Sequence, residues 1–535
     1  MKSLDGLQRK DLFCVLLILL LGTSLRVYNL GTNSFWLDEA EVILSANSLT
    51  EIIPALKANP LLPFKTFLYK TFVYYWKIFG TSEFILRLSS VIFGIFSIWG
   101  IYFLGKLIFS EKAGVFSALV LAVSPFHIYY SQELRMYSII SFLGIASIYF
   151  LWRALKDNSN FFWLGYIVAN VLNIYMQPIA FFTFVGEILF FIILIRRYKH
   201  LFKKWVFSNS MIAIFLVPLS ILLISGLKFL REDNLLFTHL FSWISIPSLK
   251  SILFTFKNFS IGYNVPLPTA LIASIIFLSL FLYGAIKAVN KKEGLILSLI
   301  CLFLPIISIF LISRFRACYI DRFFIINSIF YYLVIGNGLS QMKTKYLISV
   351  TAILIFFFIY ALKNYYNNYL PEEIMQHFGE LPKRDWRQPA IYIISNFQKG
   401  DIILHTREHT LFPFEYYFGI RYKNLLEKTG NSFSEQPSQL LVDFLKDRDD
   451  ILLKKFLLKD KSGRYIYRII NVSFENPQGI WLVYSWWDKP HSRQYRIIEW
   501  MDEHFIREKT KIFPGTTLFR YTNPTYKYSQ KSPTE

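Results

Sequence analysis

Long apolar runs recur through the first 362 residues of this chain, and they constrain its fold more than any other feature. A membrane-crossing helix needs about 20 mostly apolar residues. Eleven segments meet that description: 12–30, 83–108, 113–131, 136–155, 161–177, 179–196, 205–226, 267–288, 295–313, 323–340 and 346–362. Gln177-Pro178 is the one break between the fifth and sixth. The composition agrees: 54% of the 535 residues are hydrophobic, 17% are charged, and mean hydropathy is +0.40. A soluble chain of this length carries more charge. The expected fold class is therefore a polytopic α-helical membrane protein.

Loop charge fixes a direction. Lys2, Arg9 and Lys10 put the N-terminus in the cytoplasm by the positive-inside rule. Eleven spans then place five short basic loops inside: Lys106 to Lys112, Arg153 to Lys156, 196–204, Lys287 to Lys292 and Lys343 to Lys345. Most of the net charge of +21 is accounted for in this way, and nucleic acid is not an expected partner. The first apolar run lacks a small-x-small cleavage site and reads as an uncleaved anchor. Cys14, Cys301 and Cys318 lie in or beside apolar runs and indicate no disulfide framework.

Residues 363–535 differ: hydropathy falls and charges of both signs appear. Segments 401–406 and 479–487 read as strands, and 386–397 and 493–505 as helices. The expected organisation is a transmembrane unit, 1–362, with an amphipathic outer loop over 31–82, followed by an extracytoplasmic α/β domain, 363–535.

The outer loop carries Asp38, Glu39 and Glu41 just beyond the first span. Imperfect helical spacing from Val42 to Leu56 suits an element lying in the membrane interface. The same acids suit a helix cap, with Asp38 as N-cap of a helix starting near Glu39 and Glu41 completing a capping box. A second outer turn, 124–138, gathers His127, Gln132, Glu133, Arg135 and Tyr137 between two spans, where polar groups are costly unless paired or used. Glu133 and Arg135 suit mutual pairing or helix capping equally well.

WLDEA at 36–40, then NPLLP with aromatics, then FGTSEFILRLSSVIFG (79–94) and SPFHIYYSQELRMYS (124–138), together resemble the GT-C glycosyltransferases, above all family 39-type proteins related to protein O-mannosyltransferases and aminoarabinose transferases. PKRDWRQPAIYIISNFQKGDIIL (382–404) resembles a segment of their bacterial members. The resemblance implies transfer of a sugar from a polyprenyl-phosphate donor to an extracytoplasmic lipid, protein or glycan acceptor at a bacterial inner membrane. Asp38-Glu39 matches the family's acidic pair, with Asp38 as general base and Glu39 orienting it or binding acceptor. A direct attack implies inversion.

A departing lipid phosphate needs fixed positive charge, and arginine can hold two phosphate oxygens at once. Arg135, Arg322, Arg314, Arg316 and Lys65 fall on the outer side and are the candidate phosphate ligands, with Lys70 nearby; the 313–322 group alternatively snorkels to headgroups. Glu133, Tyr137 and His127 are candidates for the acceptor or a second acidic position. The proline loop has Asn59, Pro60 and Pro63 where relatives often carry His, so metal dependence stays open: no cofactor is certain and a divalent cation is possible. The DWR element, 385–387, either folds the outer domain or closes over the site.

HTREH (405–409) has Thr406 where a zinc-protease helix needs Glu. DRDD (447–450) reads as a solvated face, and nucleotide-binding glycine motifs are missing. A transporter or flippase of an anionic lipid-linked sugar is the competing function. It would use the same arginines without a base.

Overall fold

The computed structural model describes residues 9–46, 67–232, 244–371, 385–396, 402–405, 410–419, 479–485 and 495–522. Contacts between Cα atoms divide the chain into two units. Met1–Gly31 joins Ser48–Leu381, and Thr32–Asn47 joins Pro382–Glu535. The sequence reading put the acidic helix of the first outer loop with the membrane unit. It clusters instead with the C-terminal residues, because its aromatic anchors find their partners there.

The membrane unit is helical. Among the described residues, six stretches are long and apolar enough to cross a bilayer: Glu83–Ile108, Tyr137–Asp157, Ile195–Ser225, Leu267–Ser313, Asp321–Ser340 and Thr344–Tyr366. One of them, Leu267–Ser313, comprises two helices, Leu267–Lys287 and Lys292–Ser313. Glu111–Val123 and Pro125–Ser131 add a seventh stretch if their 62° bend belongs to one span. Shorter helices cover Arg9–Val27, Asn160–Met176 and Ala180–Ile193, the last two separated at Gln177-Pro178 as the sequence suggested. Ser82 and Ser110 accept the Ile85 and Ala113 N–H groups at 3.4 and 3.2 Å and so cap the helices that follow them.

Small residues let helix backbones meet. A Cβ at Gly114 would lie 2.4 Å from the Tyr102 carbonyl oxygen, and one at Gly284 would lie 2.0 Å from that of Val334. The 62° bend has its own fastening. Pro125 opens the short helix and Ser124 caps it, so carbonyls of the preceding turn lose their helical partners. Arg26, fully buried at the end of the first helix, takes them up. Its Nη1 donates to Ala122 O at 2.8 Å and Gly22 O at 3.1 Å. Its Nη2 donates to Leu121 O at 3.0 Å and His127 Nδ1 at 3.2 Å, and its Nε donates to Ser131 Oγ at 3.2 Å. These are all five guanidinium N–H bonds.

The second unit holds a four-stranded mixed sheet in the order β1-β2-β4-β3, with β1 Ile402–His405, β2 Ile480–Ser485, β3 Ile506–Phe513 and β4 Thr516–Thr522. β1 and β2 are parallel, pairing Ile402 with Ile480, while β4 runs antiparallel to both β2 and β3. Tyr495–His504 lays Ile498 and Met501 against Leu404, Ile480, Leu482 and Phe519, forming one apolar core. β1, β2 and the helices Arg387–Asn396 and Tyr495–His504 fall where the sequence pattern put them; the β3–β4 hairpin is additional.

Candidate functional site

In the second unit, the acidic helix spans Leu37–Ser45. The expected cap is corrected. The helix starts two residues earlier than the cap reading required, with Trp36 as N-cap, and Glu39 rather than Glu41 reaches back, its Oε2 accepting the Trp36 N–H at 3.3 Å. Glu39 is therefore fully buried as a helix-start residue, whereas Asp38 in the same turn is half-buried. Two carboxylates near a helix N-terminus also suit the positive end of its dipole.

The approach to that turn is held firmly. Phe35 is fully buried; its ring stacks on Tyr417 with centroids 6.3 Å apart, meets Tyr416 edge-on at 5.2 Å, and its N–H donates to the Tyr417 hydroxyl at 2.7 Å. Ser34 Oγ accepts the Trp386 N–H at 2.9 Å. Asp385 caps the next helix, accepting from the Arg387 and Gln388 N–H groups at 3.0 and 3.3 Å.

In the membrane unit, the turn 132–136 follows the short Pro125–Ser131 helix. The Arg135 guanidinium lies 5.9 Å from the Tyr137 ring centroid, and Tyr137 packs edge-on against Tyr130 at 4.8 Å. The Tyr130 hydroxyl is 2.6 Å from that of Tyr263, which in turn hydrogen-bonds the Asp321 carboxylate. Asp321 Oδ1 accepts the Arg322 N–H at 3.0 Å, and Asn258 donates to its Oδ2. The Arg135 guanidinium thus connects through Tyr137, Tyr130 and Tyr263 to Asp321, which holds the backbone N–H of Arg322, 187 residues on by number.

Lys257 belongs to the same cluster. Its ammonium is buried and donates to Asn258 Oδ1 and Gly262 O, each at 2.8 Å. Burial pulls it down to about 7, with the charge of Asp321 acting the other way. Lys257, Asn258, Tyr263 and Asp321 escaped the sequence reading. Lys257 and Asn258 sit on a helix, Leu249–Ile261, inside a segment read as an outer loop. The available signal was Asp321 directly before Arg322, an acid beside a cation at the start of an apolar run.

Arg314 and Arg316 are exposed, and Arg314 Nη1 donates to Pro247 O at 3.1 Å. Lys70 is buried in Phe67–Trp76. Lys65, Asn59, Pro60, Pro63, most of HTREH and DRDD lie outside the described residues. Glu133 is buried. His127 is occupied on both ring nitrogens. Arg26 can only donate, so Nδ1 accepts from it and Nε2 carries the proton toward Ser141 Oγ at 3.0 Å. His127 is therefore a packing residue of the bend, with no ring nitrogen left for a metal. Gln132 is likewise structural: Nε2 donates to Arg26 O and Tyr28 O at 2.8 and 2.7 Å, and Oε1 accepts from Tyr365 at 2.7 Å. Among the described residues, no three His, Cys, Asp or Glu side chains gather as a metal site.

Residues 66–224 match the sequence profile of the family described as dolichyl-phosphate-mannose-protein mannosyltransferase. No curated protein matches the chain. Among solved structures, the chain is similar to ArnT from Cupriavidus metallidurans bound to undecaprenyl phosphate, with TM-score 0.56 and 10% identity over 95% of this chain and 97% of that one. The apo state of the same protein gives the same values. It is also similar to an Archaeoglobus fulgidus oligosaccharyltransferase tethered with an acceptor peptide containing the NVT sequon, with TM-score 0.51 and 12% identity over 97% of this chain and 74% of that one.

Proposed function

From the premise that this chain has the fold of the GT-C superfamily glycosyltransferases, a multi-pass membrane architecture, we propose that it moves a sugar from a polyprenyl-phosphate donor to an extracytoplasmic acceptor. The observation that carries this reading is the polar cluster that runs from the Arg135 guanidinium through Tyr137, Tyr130 and Tyr263 to Asp321, with Lys257 buried beside it and Arg322 next in sequence. Basic side chains placed within a helical membrane unit suit a phosphate that must leave as an anion. The profile match and the undecaprenyl phosphate held by the Cupriavidus protein point to the same ligand class.

Asp38 is the general base. It takes the proton from an acceptor hydroxyl or amine as that atom bonds to the anomeric carbon. The bond from that carbon to the phosphate oxygen breaks, and its electron pair leaves with the polyprenyl phosphate. One displacement inverts the anomeric centre. Glu39 fixes the turn that carries Asp38. The topology that goes with this chemistry has eleven spans in a bacterial inner membrane, a cytoplasmic N-terminus and the C-terminal domain outside; the acceptor is a lipid, protein or glycan.

The test is a comparison of membranes with and without the full chain, by mass analysis of lipids and envelope glycans. The reading expects free polyprenyl phosphate and one glycosylated product to appear only with the chain. A donor pool that merely changes sides of the membrane, with its sugar intact, would identify a flippase instead.

A further inference from the structure

We propose that Tyr417 and Ser34, together with Trp386 of the DWR element, are positioning residues that set the Asp38 carboxylate in place. The inference rests on the reading of Asp38 as the base. The contacts that support it lie within the second unit. The chain enters the acidic helix through Ser34, Phe35 and Trp36, and each of these residues is held. The Ser34 hydroxyl oxygen takes the Trp386 N–H at 2.9 Å, the Phe35 N–H goes to the Tyr417 hydroxyl at 2.7 Å, and the Trp36 N–H goes to Glu39 at 3.3 Å. The Trp36 carbonyl then accepts the Ala40 N–H at 2.9 Å and starts the helix. Asp38 lies inside this first turn, so its position follows from the three anchors before it.

The anchors are themselves fixed. Trp386 and Phe35 are buried to 2% and 0% exposure, which leaves neither room to shift. Asp385 holds the turn that aims the Trp386 N–H, through its bonds to Arg387 and Gln388. The Arg387 guanidinium lies 5.9 Å from the Tyr417 ring centroid, on the ring that also stacks against Phe35. The Asp-Trp-Arg triplet thus contributes a cap, a backbone donor and a cation–aromatic contact to one clamp. A general base must reach its proton directly or through one water, and a displacement of about 1 Å costs on the order of 100-fold in rate.

The experiment uses the full chain in membranes containing their own lipid-linked donors. Turnover is read as polyprenyl phosphate released, binding is measured with undecaprenyl phosphate, and order is read by amide hydrogen exchange. Tyr417→Phe, which deletes the acceptor for the Phe35 N–H, is expected to slow turnover roughly 10–100-fold. It should leave undecaprenyl phosphate affinity unchanged and speed exchange in 32–46 but not in β2 and β4. Ser34→Ala should act alike, and Ser34→Thr, which keeps the oxygen, should restore turnover. Combining Tyr417→Phe with Asp38→Asn should slow the reaction no further than Asp38→Asn alone, since both act through one group.

Normal turnover in Tyr417→Phe beside a dead Asp38→Asn overturns the proposal. So does multiplication of the two defects, or exchange in 32–46 that does not change. A tight-folding fault common to the whole domain would show in β2 and β4, and the Ser34 pair then decides. If Asp38→Asn itself turns over normally, the base assignment fails, and the exchange data still report whether the clamp holds the segment.

Discussion

The Phe35 N–H donates to the Tyr417 hydroxyl at 2.7 Å across 382 residues of sequence. A residue shortly after the first helix in sequence is thereby buried against Tyr416 and Tyr417 of the second unit. Burial of a phenyl ring contributes about 3–5 kcal/mol against truncation to Ala. Phe35→Ala should therefore destabilise the sheet unit by about that amount and leave the membrane unit intact. Pulse proteolysis with fragment mapping reads both at once.

Arg322 and Arg314 should part company in binding. Arg322 is buried beside Asp321, whereas Arg314 is exposed and bonded to the Pro247 carbonyl. A charge-assisted hydrogen bond contributes about 1.5–3 kcal/mol. Arg322→Gln should weaken undecaprenyl phosphate affinity by roughly 10–100-fold on that basis. Arg314→Gln should change it by less than about 2-fold, as expected for a solvated charge. Equilibrium binding in detergent or nanodiscs gives both values.

Arg26 should behave as a structural residue despite its charge. It fills five acceptors at the 62° bend, and a lysine offers three donors. Two buried acceptors orphaned at about 1–3 kcal/mol each make Arg26→Lys about 2–6 kcal/mol less stable. Thermal unfolding in detergent measures it.

His405 gives the C-terminal unit an acid limit. Its Nδ1 lies 3.0 Å from Thr410 Oγ1, its Nε2 has no hydrogen-bond partner among the described residues, and burial pushes it down to about 3. The unfolded chain, with an ordinary histidine near 6.5, binds more protons than the folded one between those values. This group's stability contribution is therefore complete above about pH 6.5 and is lost as pH falls toward 3, by up to about 1.4 kcal/mol per pH unit. Unfolding midpoints of the full chain from pH 7 to 4, read by exchange in β1 and β2, should fall, and His405→Leu should flatten the slope.

Apolar length was the readable part of the sequence: the proposed segments lie largely on helices, and among the described residues six stretches, or seven with the bent pair, are long and apolar enough to cross a bilayer. Side-chain pairing was not readable. His127 and Gln132 looked like site residues because they are polar in a short turn, yet both serve Arg26 and the chain around it, more than 95 residues earlier. Leu249–Ile261 was taken for loop because its apolar face is short and interrupted by Lys257 and Asn258, residues whose partners only the folded chain reveals. The β3–β4 hairpin hid behind charge, since β3 is an edge strand exposed along most of its length. Asp38-Glu39 was legible as a helix start, but the division of labour between them was not. It depends on which carboxylate turns back to Trp36.

The most direct measurement is release of polyprenyl phosphate by the full chain against its Asp38→Asn variant, with undecaprenyl phosphate binding followed in parallel. Loss of a general base slows a reaction by roughly 10²–10⁴-fold. The account predicts a loss of that size with lipid binding unchanged. Equal release by both proteins, or no release by either beside intact lipid binding, would contradict it.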